Sequence, residues 1–276
     1  MIGGQTNSSR LKILLLIGIV NLFSCSSIYA SNNTLYKARD SFLFIEKTLL
    51  LHQCTESMCM EHTARSMASG FVIKKTEEGS YGVTAAHVCE AEIPTTTPPI
   101  QHHAFYLTTT LEGEKYKATV LASDMENDIC LFFITELTDV PPLKISRKAP
   151  RPGDKVYTIG APRGIFSPTM VPMFEGVYNG TVGHIDFYSL PANPGSSGSM
   201  IINEKGEVVG VLHSVYIKFP HIVLSVGYDK MVSFIKTNVL KFETYRKVRK
   251  ILDLKDVFRE QPESFHPEAK DPTASK

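Results

Sequence analysis

Tryptophan is absent from the 276 residues, and that by itself excludes no fold. An excess of charge of either sign is also missing. Lys and Arg number 29 against 28 Asp and Glu, a formal net charge of +1, so nothing points to nucleic acid or to an acidic partner. Long apolar runs are scarce. The run from Ile13 to Phe23 is too short for a comfortable membrane span, and no later segment is long and apolar enough to cross a bilayer. Cysteine is sparse, with five in the chain. Cys54 and Cys59 have no histidine pair at finger spacing, which makes them a poor zinc motif. What is present suits one or two domains: 43% hydrophobic residues, enough for a core, and an ordinary 21% charged.

The first thirty residues read as an export segment. Arg10 and Lys12 precede LLLIGIVNLF, small residues follow, and a cut after Ala30 is expected. Leu22-Phe23-Ser24-Cys25 is similar to a bacterial lipobox, so a lipoprotein anchored at Cys25 is the alternative to a secreted or periplasmic protein. An uncleaved anchor is the third reading. Membrane contact is expected only in those last two cases. Export permits disulfides among Cys54, Cys59, Cys89 and Cys130. Cys54 and Cys59 can close a short loop, and Cys89 can pair with either. Cys130, inside the apolar run DICLFFI, is expected as a buried free thiol.

From residue 35 onward short β-prone segments alternate with Gly, Pro, Asp and Asn. They are SFLFIEKTLLL, SGFVIKK, YGVTAAHV, HAFYLTTT, YKATVLAS, DICLFFI, DKVYTIG, FEGVYNG, TVGHIDFYS, SMIIN, EVVGVLHSVYI and HIVLSVG. Many short strands argue for a sandwich or barrel. Pro94–Pro99 reads as a turn. Met231, Phe234, Ile235 and Val239 give 228–240 a helical period, which would close the domain. A separate short helix is expected over 248–257 and a disordered tail over 262–276. These boundaries divide the chain into a signal segment (1–30), a main domain (31–240) and a C-terminal extension (241–276).

Three local motifs are bland when taken singly. His87 ends VTAAH after small residues. Asp128 precedes an apolar strand in SDMENDICLFFI. Gly195-Ser196-Ser197-Gly198-Ser199 looks like a turn. In combination they follow the chain order His, Asp, Ser, which differs from that of α/β-hydrolases and subtilisins. A serine hydroxyl is a poor nucleophile without an adjacent base. Imidazole suits that task near neutral pH, and a carboxylate holds its tautomer.

Residues 66–238 resemble a trypsin-like serine protease domain, closest to the bacterial HtrA/Deg branch. Four motifs carry the resemblance: SGFVI with VTAAHV, SDMENDICLFFI, GDKVYTIGAPRG, and NPGSSGSMIINEKGEVVGV. The resemblance implies an all-β fold of two six-stranded barrels with the site between them. It implies His87 as base, Asp128 as orienting acid and Ser197 as nucleophile, with an oxyanion hole from the N–H groups of Gly195 and Ser197. Asp124 matches an acidic position outside the triad. Two departures stand out. Ser196 replaces Asn or Asp, removing a side chain that can brace the oxyanion loop. Ser199-Met200 replaces the usual Gly-Pro.

The residues aligned with the specificity pocket are Leu190, Pro191, His213, Ser214 and Val215, with Ser225 and Val226 on the far wall. None is a carboxylate at the pocket base, so an apolar P1 side chain is expected. Only 38 residues follow Asn238, too few for the PDZ domain of the larger relatives. No cofactor or metal is needed. His102-His103 has no third ligand at a matching spacing. The expected partner is a protein or peptide substrate. The expected function is therefore exported serine endopeptidase. The alternatives are a catalytically silent binding or scaffold protein on the same fold and an ester hydrolase.

Overall fold

The structure is a computed structural model that describes residues 34–54, 58–90, 100–216, 219 and 221–259, the last nine of these by backbone alone. The export segment, the Pro94–Pro99 turn and the 262–276 tail lie outside the described residues. The chain divides into a barrel unit ending at Ile235 and a helical unit starting at Lys236.

Each of the twelve segments expected as strands holds a strand, but YGVTAAHV turns helical at Ala86 and TVGHIDFYS is broken by a turn at Gly183-His184. The first barrel takes β1 (Phe42–Cys54), β2 (Cys59–Lys75), β3 (Gly79–Thr84), β4 (Gln101–Thr110), β5 (Lys115–Asp124) and β6 (Ile129–Thr135). The second takes β7 (Lys155–Ile159), β8 (Met173–Val182), β9 (Ile185–Ser189), β10 (Met200–Asn203), β11 (Val208–Val215) and β12 (Ile222–Val226). Each set closes on itself, in the orders β1-β2-β3-β6-β5-β4 and β10-β11-β12-β9-β8-β7, with antiparallel pairing throughout. Closure satisfies every ladder and removes the sheet edges that invite aggregation.

Each barrel has its own core. Leu43, Ile45, Val72, Phe132, Ile134 and Leu137 fill the first. Val156, Tyr188, Leu190, Ile201, Val209 and Val223 fill the second. Burying one such side chain contributes roughly 1.5–3 kcal/mol. The barrels are joined by contacts that run both ways. Phe166, from the β7–β8 connection, stacks on Phe44 at 5.0 Å between ring centroids and also meets Phe42. In the inter-barrel segment, Leu143 N–H donates to the Val72 carbonyl and Ser146 N–H to that of Val208.

Two further element boundaries differ from the sequence reading. β2 begins at Cys59, ten residues before the apolar alternation of SGFVIKK. The early part is exposed and polar, and what makes it a strand is its pairing with β1, from Cys54↔Cys59 to Phe42↔Phe71. At the C-terminus a single helix spans Tyr228–Arg259, instead of two. No Gly or Pro interrupts KFETYRKV, so the backbone has no reason to break. The start of this helix is held by β9: the buried Asp186 accepts the Tyr228 N–H at 2.9 Å and the Tyr178 hydroxyl at 3.0 Å. A carboxylate there satisfies an orphan amide and suits the positive end of the helix.

Candidate active site

His87 sits in a short helix, Ala86–Cys89, directly after β3. Asp128 closes the β5–β6 turn. That turn is shaped by Asp124, whose carboxylate accepts the Asn127 backbone N–H at 3.1 Å and its side-chain amide at 2.8 Å. Asp128 itself has φ of 50°, a left-handed conformation that Asp tolerates better than most residues. It receives His87 twice. The ring Nδ1 lies 2.8 Å from Oδ2 and 3.0 Å from Oδ1, and the His87 backbone N–H donates to Oδ1 at 3.0 Å. A carboxylate only accepts, so Nδ1 carries the proton and Nε2 is left with its lone pair. Burial pushes the Asp128 carboxyl up. The hydrogen bonds from the His87 ring and backbone, and the charges of His87 and His213, outweigh that and hold it below the ordinary value of 3.8. The His87 side chain is 36% exposed and that of Asp128 21%, so the acid is the more enclosed of the pair.

Ser197 comes from the β9–β10 loop of the other barrel. Ser69, on β2, ties that loop to the first barrel. Its N–H donates to the Ser197 carbonyl at 2.9 Å, and its hydroxyl donates to the Gly195 carbonyl at 2.9 Å while accepting the Ala161 N–H at 2.9 Å. Thr84, three residues before His87, donates its hydroxyl to the Ser69 carbonyl at 2.8 Å. Gly198 presses into the same junction with φ of 84°. A Cβ there would lie 2.1 Å from both the Ser69 carbonyl oxygen and the Thr84 hydroxyl. Only glycine fits, for both conformation and space. The strand ending at the histidine and the loop carrying the serine thus meet at one seam.

The amides of the loop divide into two sets. Ser196 donates to Asn193, Gly198 to Leu212 and Ser199 to Ser196. Among the described residues the N–H groups of Gly195 and Ser197 donate to no acceptor. Gly195 is buried and Ser197 half-buried, and enclosed amides without partners are uncommon and ready to receive an anion. The Ser196 hydroxyl lies 3.4 Å from the Asn193 nitrogen, a long and weak contact in place of the Asn or Asp it replaces. The Ser199 hydroxyl is buried without a partner and faces Gly160, where a Cβ would lie 1.8 Å from it.

The pocket candidates scatter. Leu190 is in the second-barrel core and Val215 packs against it. Pro191 is half-buried and Ser214 exposed. Ser225 is fully buried, its hydroxyl accepting the Val211 N–H at 2.9 Å, and Val226 is buried too. His213 points at the acid, with Nδ1 3.5 Å from Asp128 Oδ2. Sequence reasoning missed that contact, as it missed the part Ser69 plays, because both arise only where one barrel meets the other. A cleft of about 520 Å³ elsewhere, lined by Arg147, Lys148, Arg151, Lys155 and Lys205 with Asp154 and Glu207 among its acids, contains none of the candidate residues.

Cys130 corrects another expectation. It is buried as foreseen, but it is bonded to Cys89, while Cys54 pairs with Cys59. The β6 strand that places Cys130 two residues after Asp128 runs beside the helix that places Cys89 two residues after His87. The bridge therefore fastens the acid's segment to the base's segment. In the chain-entropy picture, a bridge spanning 41 positions stabilises by about 4 kcal/mol and one spanning 5 by about 2 kcal/mol. The paired substitution Cys89→Ala/Cys130→Ala is accordingly expected to lower the denaturant midpoint about twice as far as Cys54→Ala/Cys59→Ala. Equal shifts in equilibrium unfolding would contradict this.

Comparison with known proteins follows the same lines. Residues 68–211 match the family described as "Trypsin-like peptidase domain". The "Serine protease Do-like HtrB" of Bacillus subtilis is 31% identical over 160 residues, covering 52% of this chain and 31% of that protein. The "Probable periplasmic serine endoprotease DegP-like" of Pseudomonas fluorescens is 26% identical over 162 residues, covering 56% and 31%. The chain thus spans about a third of the length of these relatives. The crystal structure of the serine endoprotease from Yersinia pestis shares the fold, with a TM-score of 0.56 at 19% identity, covering 76% of this chain and 66% of that one.

Proposed function

The chain belongs to the trypsin-like peptidase domain family, and we propose that it is a serine endopeptidase in which Ser197 is the nucleophile, His87 the general base and Asp128 the acid that orients it. The observation that carries this reading is the doubly bonded His87–Asp128 pair, which leaves Nε2 as the basic nitrogen. In the proposed sequence, Ser197 Oγ attacks the scissile carbonyl carbon as its proton passes to His87 Nε2. The carbonyl oxygen becomes an oxyanion and accepts from the open N–H groups of Gly195 and Ser197. The intermediate collapses as Nε2–H protonates the leaving amine, giving an acyl-enzyme and the released C-terminal fragment. Water, deprotonated by Nε2, then attacks the acyl carbon and frees Ser197. Each open amide that meets the oxyanion is worth on the order of a hundredfold in rate.

The substrate is a protein or peptide, with an apolar P1 side chain in keeping with the absence of a charged residue at Leu190, Pro191 and Ala192 before the nucleophile loop. An exported protein, secreted or periplasmic, suits two disulfides and the word "periplasmic" in one relative's description. Lipid anchoring at Cys25 is the alternative form of the same reading. Among the described residues no helix is long and apolar enough to cross a membrane.

A fluorophosphonate probe tests the central claim. The purified protein is expected to label, and mass spectrometry of the digested adduct is expected to place the phosphonate on Ser197. A folded protein that takes up no label, or takes it up elsewhere, contradicts the assignment.

A further inference from the structure

We propose that His213 is a positioning residue for the triad, a second imidazole that shares the Asp128 carboxylate with His87 and, when protonated, takes that carboxylate away from the base. The inference rests on the serine-endopeptidase reading, because it assigns His213 a task in that reaction.

The first observation is where β11 breaks register. Leu212 pairs with Ser225 and Ser214 with Leu224, so two steps on β11 oppose one on β12, and His213 is the extra residue of a bulge. A bulge re-aims a side chain and is common beside active sites. Here it turns His213 from the second barrel onto an acid of the first. The second observation is the shared oxygen. Asp128 Oδ2 has His87 Nδ1 at 2.8 Å and His213 Nδ1 at 3.5 Å. The third is enclosure: the His213 side chain is 11% exposed, against 36% for His87. A substrate-facing role, as the alignment with the pocket suggests, fits such enclosure poorly.

The polar surroundings of His213 are few. Asp128 and His87 face it from the first barrel. Its Nδ1 lies 3.0 Å from the neighbouring Ser214 hydroxyl, and the Ser225 backbone lies beside it on β12. Burial pushes its protonation down, the Asp128 charge pulls it up, the His87 charge opposes it and a hydrogen bond to the Ser225 backbone favours it; the net direction is down. At neutral pH His213 is therefore uncharged and leaves the carboxylate to His87. In acid it becomes a cation 3.5 Å from Oδ2. Two imidazolium ions cannot both be held by one carboxylate without repulsion, so a charged His213 competes with His87 for Oδ2.

The test uses His213→Asn, with His213→Ser as a second variant should the first fold poorly, and thermal unfolding to confirm the fold of each. In the parent protein the fall of log(kcat/KM) in acid is expected to steepen from a slope of about one toward about two at the low-pH end, as a second inactivating proton binds; in the variant the slope is expected to stay at about one. At neutral pH KM is expected to stay within about twofold in His213→Asn, since the substrate loses no contact. An acid slope that is the same in parent and variant overturns the proposal, as does a rise in KM alone, which would make His213 a substrate contact. A further readout needs no activity. In the Ser197→Ala protein the NMR titration curve of the His213 ring is expected to move to lower pH when Asp128 is replaced by Asn, because the carboxylate favours its protonation. A curve that stays in place overturns the coupling of His213 to the acid even if turnover is seen, whereas a shift in a protein that proves inactive faults the endopeptidase reading and leaves the coupling standing.

Discussion

Ser197→Ala is expected to leave the fold intact and to remove fluorophosphonate labelling and peptide hydrolysis together, with a loss in kcat on the order of a millionfold. The size follows from the chemistry. Nothing else in Gly195-Ser196-Ser197-Gly198-Ser199 can take the nucleophile's place. Ser196 is 4% exposed and its hydroxyl lies 3.4 Å from the Asn193 nitrogen; Ser199 is 1% exposed and faces Gly160. Only Ser197 combines a half-buried side chain with an open amide of its own. Alanine keeps the backbone that holds the seam, including the carbonyl that accepts from Ser69, so the melting temperature is expected to stay within a degree or two of the parent. Residual hydrolysis near the parent rate would place the nucleophile elsewhere.

Asp128→Asn is expected to lower kcat about ten-thousandfold at neutral pH, with KM little changed. The carboxylate accepts two N–H donors from His87, one from the ring and one from the backbone. An asparagine keeps the shape. If its amide keeps an oxygen on the His87 backbone N–H, its NH₂ faces the ring, and Nδ1 must then accept. The imidazole proton moves to Nε2, and the base is lost without any change of position. Stability carries a matching signature. The Asp128 carboxyl is held below its ordinary value of 3.8, so its contribution to folding is fully present above that value. The contribution is lost as pH falls through the lower folded one. Asn removes that dependence, and the acid end of the stability curve is expected to flatten. Steady-state kinetics at neutral pH and urea unfolding between pH 2 and roughly 6 check the two halves. A variant with near-parent kcat would remove Asp128 from the mechanism.

Much of this protein is legible along the chain because its information is local. The twelve strands announce themselves through Val, Ile, Phe and Tyr between turn residues, and each such segment holds a strand. The glycines of the 195–198 loop are legible too, since a residue forced to φ of 99° or 84° leaves a mark in the sequence. His87, Asp128 and Ser197 could be nominated by order and motif, because that order differs from those of other hydrolase folds. Chain order carries no distances, however, and no single motif outweighed its bland reading.

What the tertiary structure decided are the pairings between distant segments. The start of β2 is polar and carries no strand pattern; β1 makes it a strand by offering a ladder. Cys130 lies in a run apolar enough to hide a free thiol, and only the packing of β6 beside the Ala86–Cys89 helix brings it to Cys89. Ser69 looks like any serine at a strand's start until the barrels close and its hydroxyl bridges Gly195 and Ala161. His213 looks like a lining residue until a one-residue bulge turns it onto Asp128. The sequence by itself determined the strands, the turns and the types of reacting group, since propensity and backbone freedom belong to each residue and its near neighbours. Which carboxylate oxygen meets which imidazole was left to barrel closure, because register and bulges depend on the partner strand as much as on the residue itself.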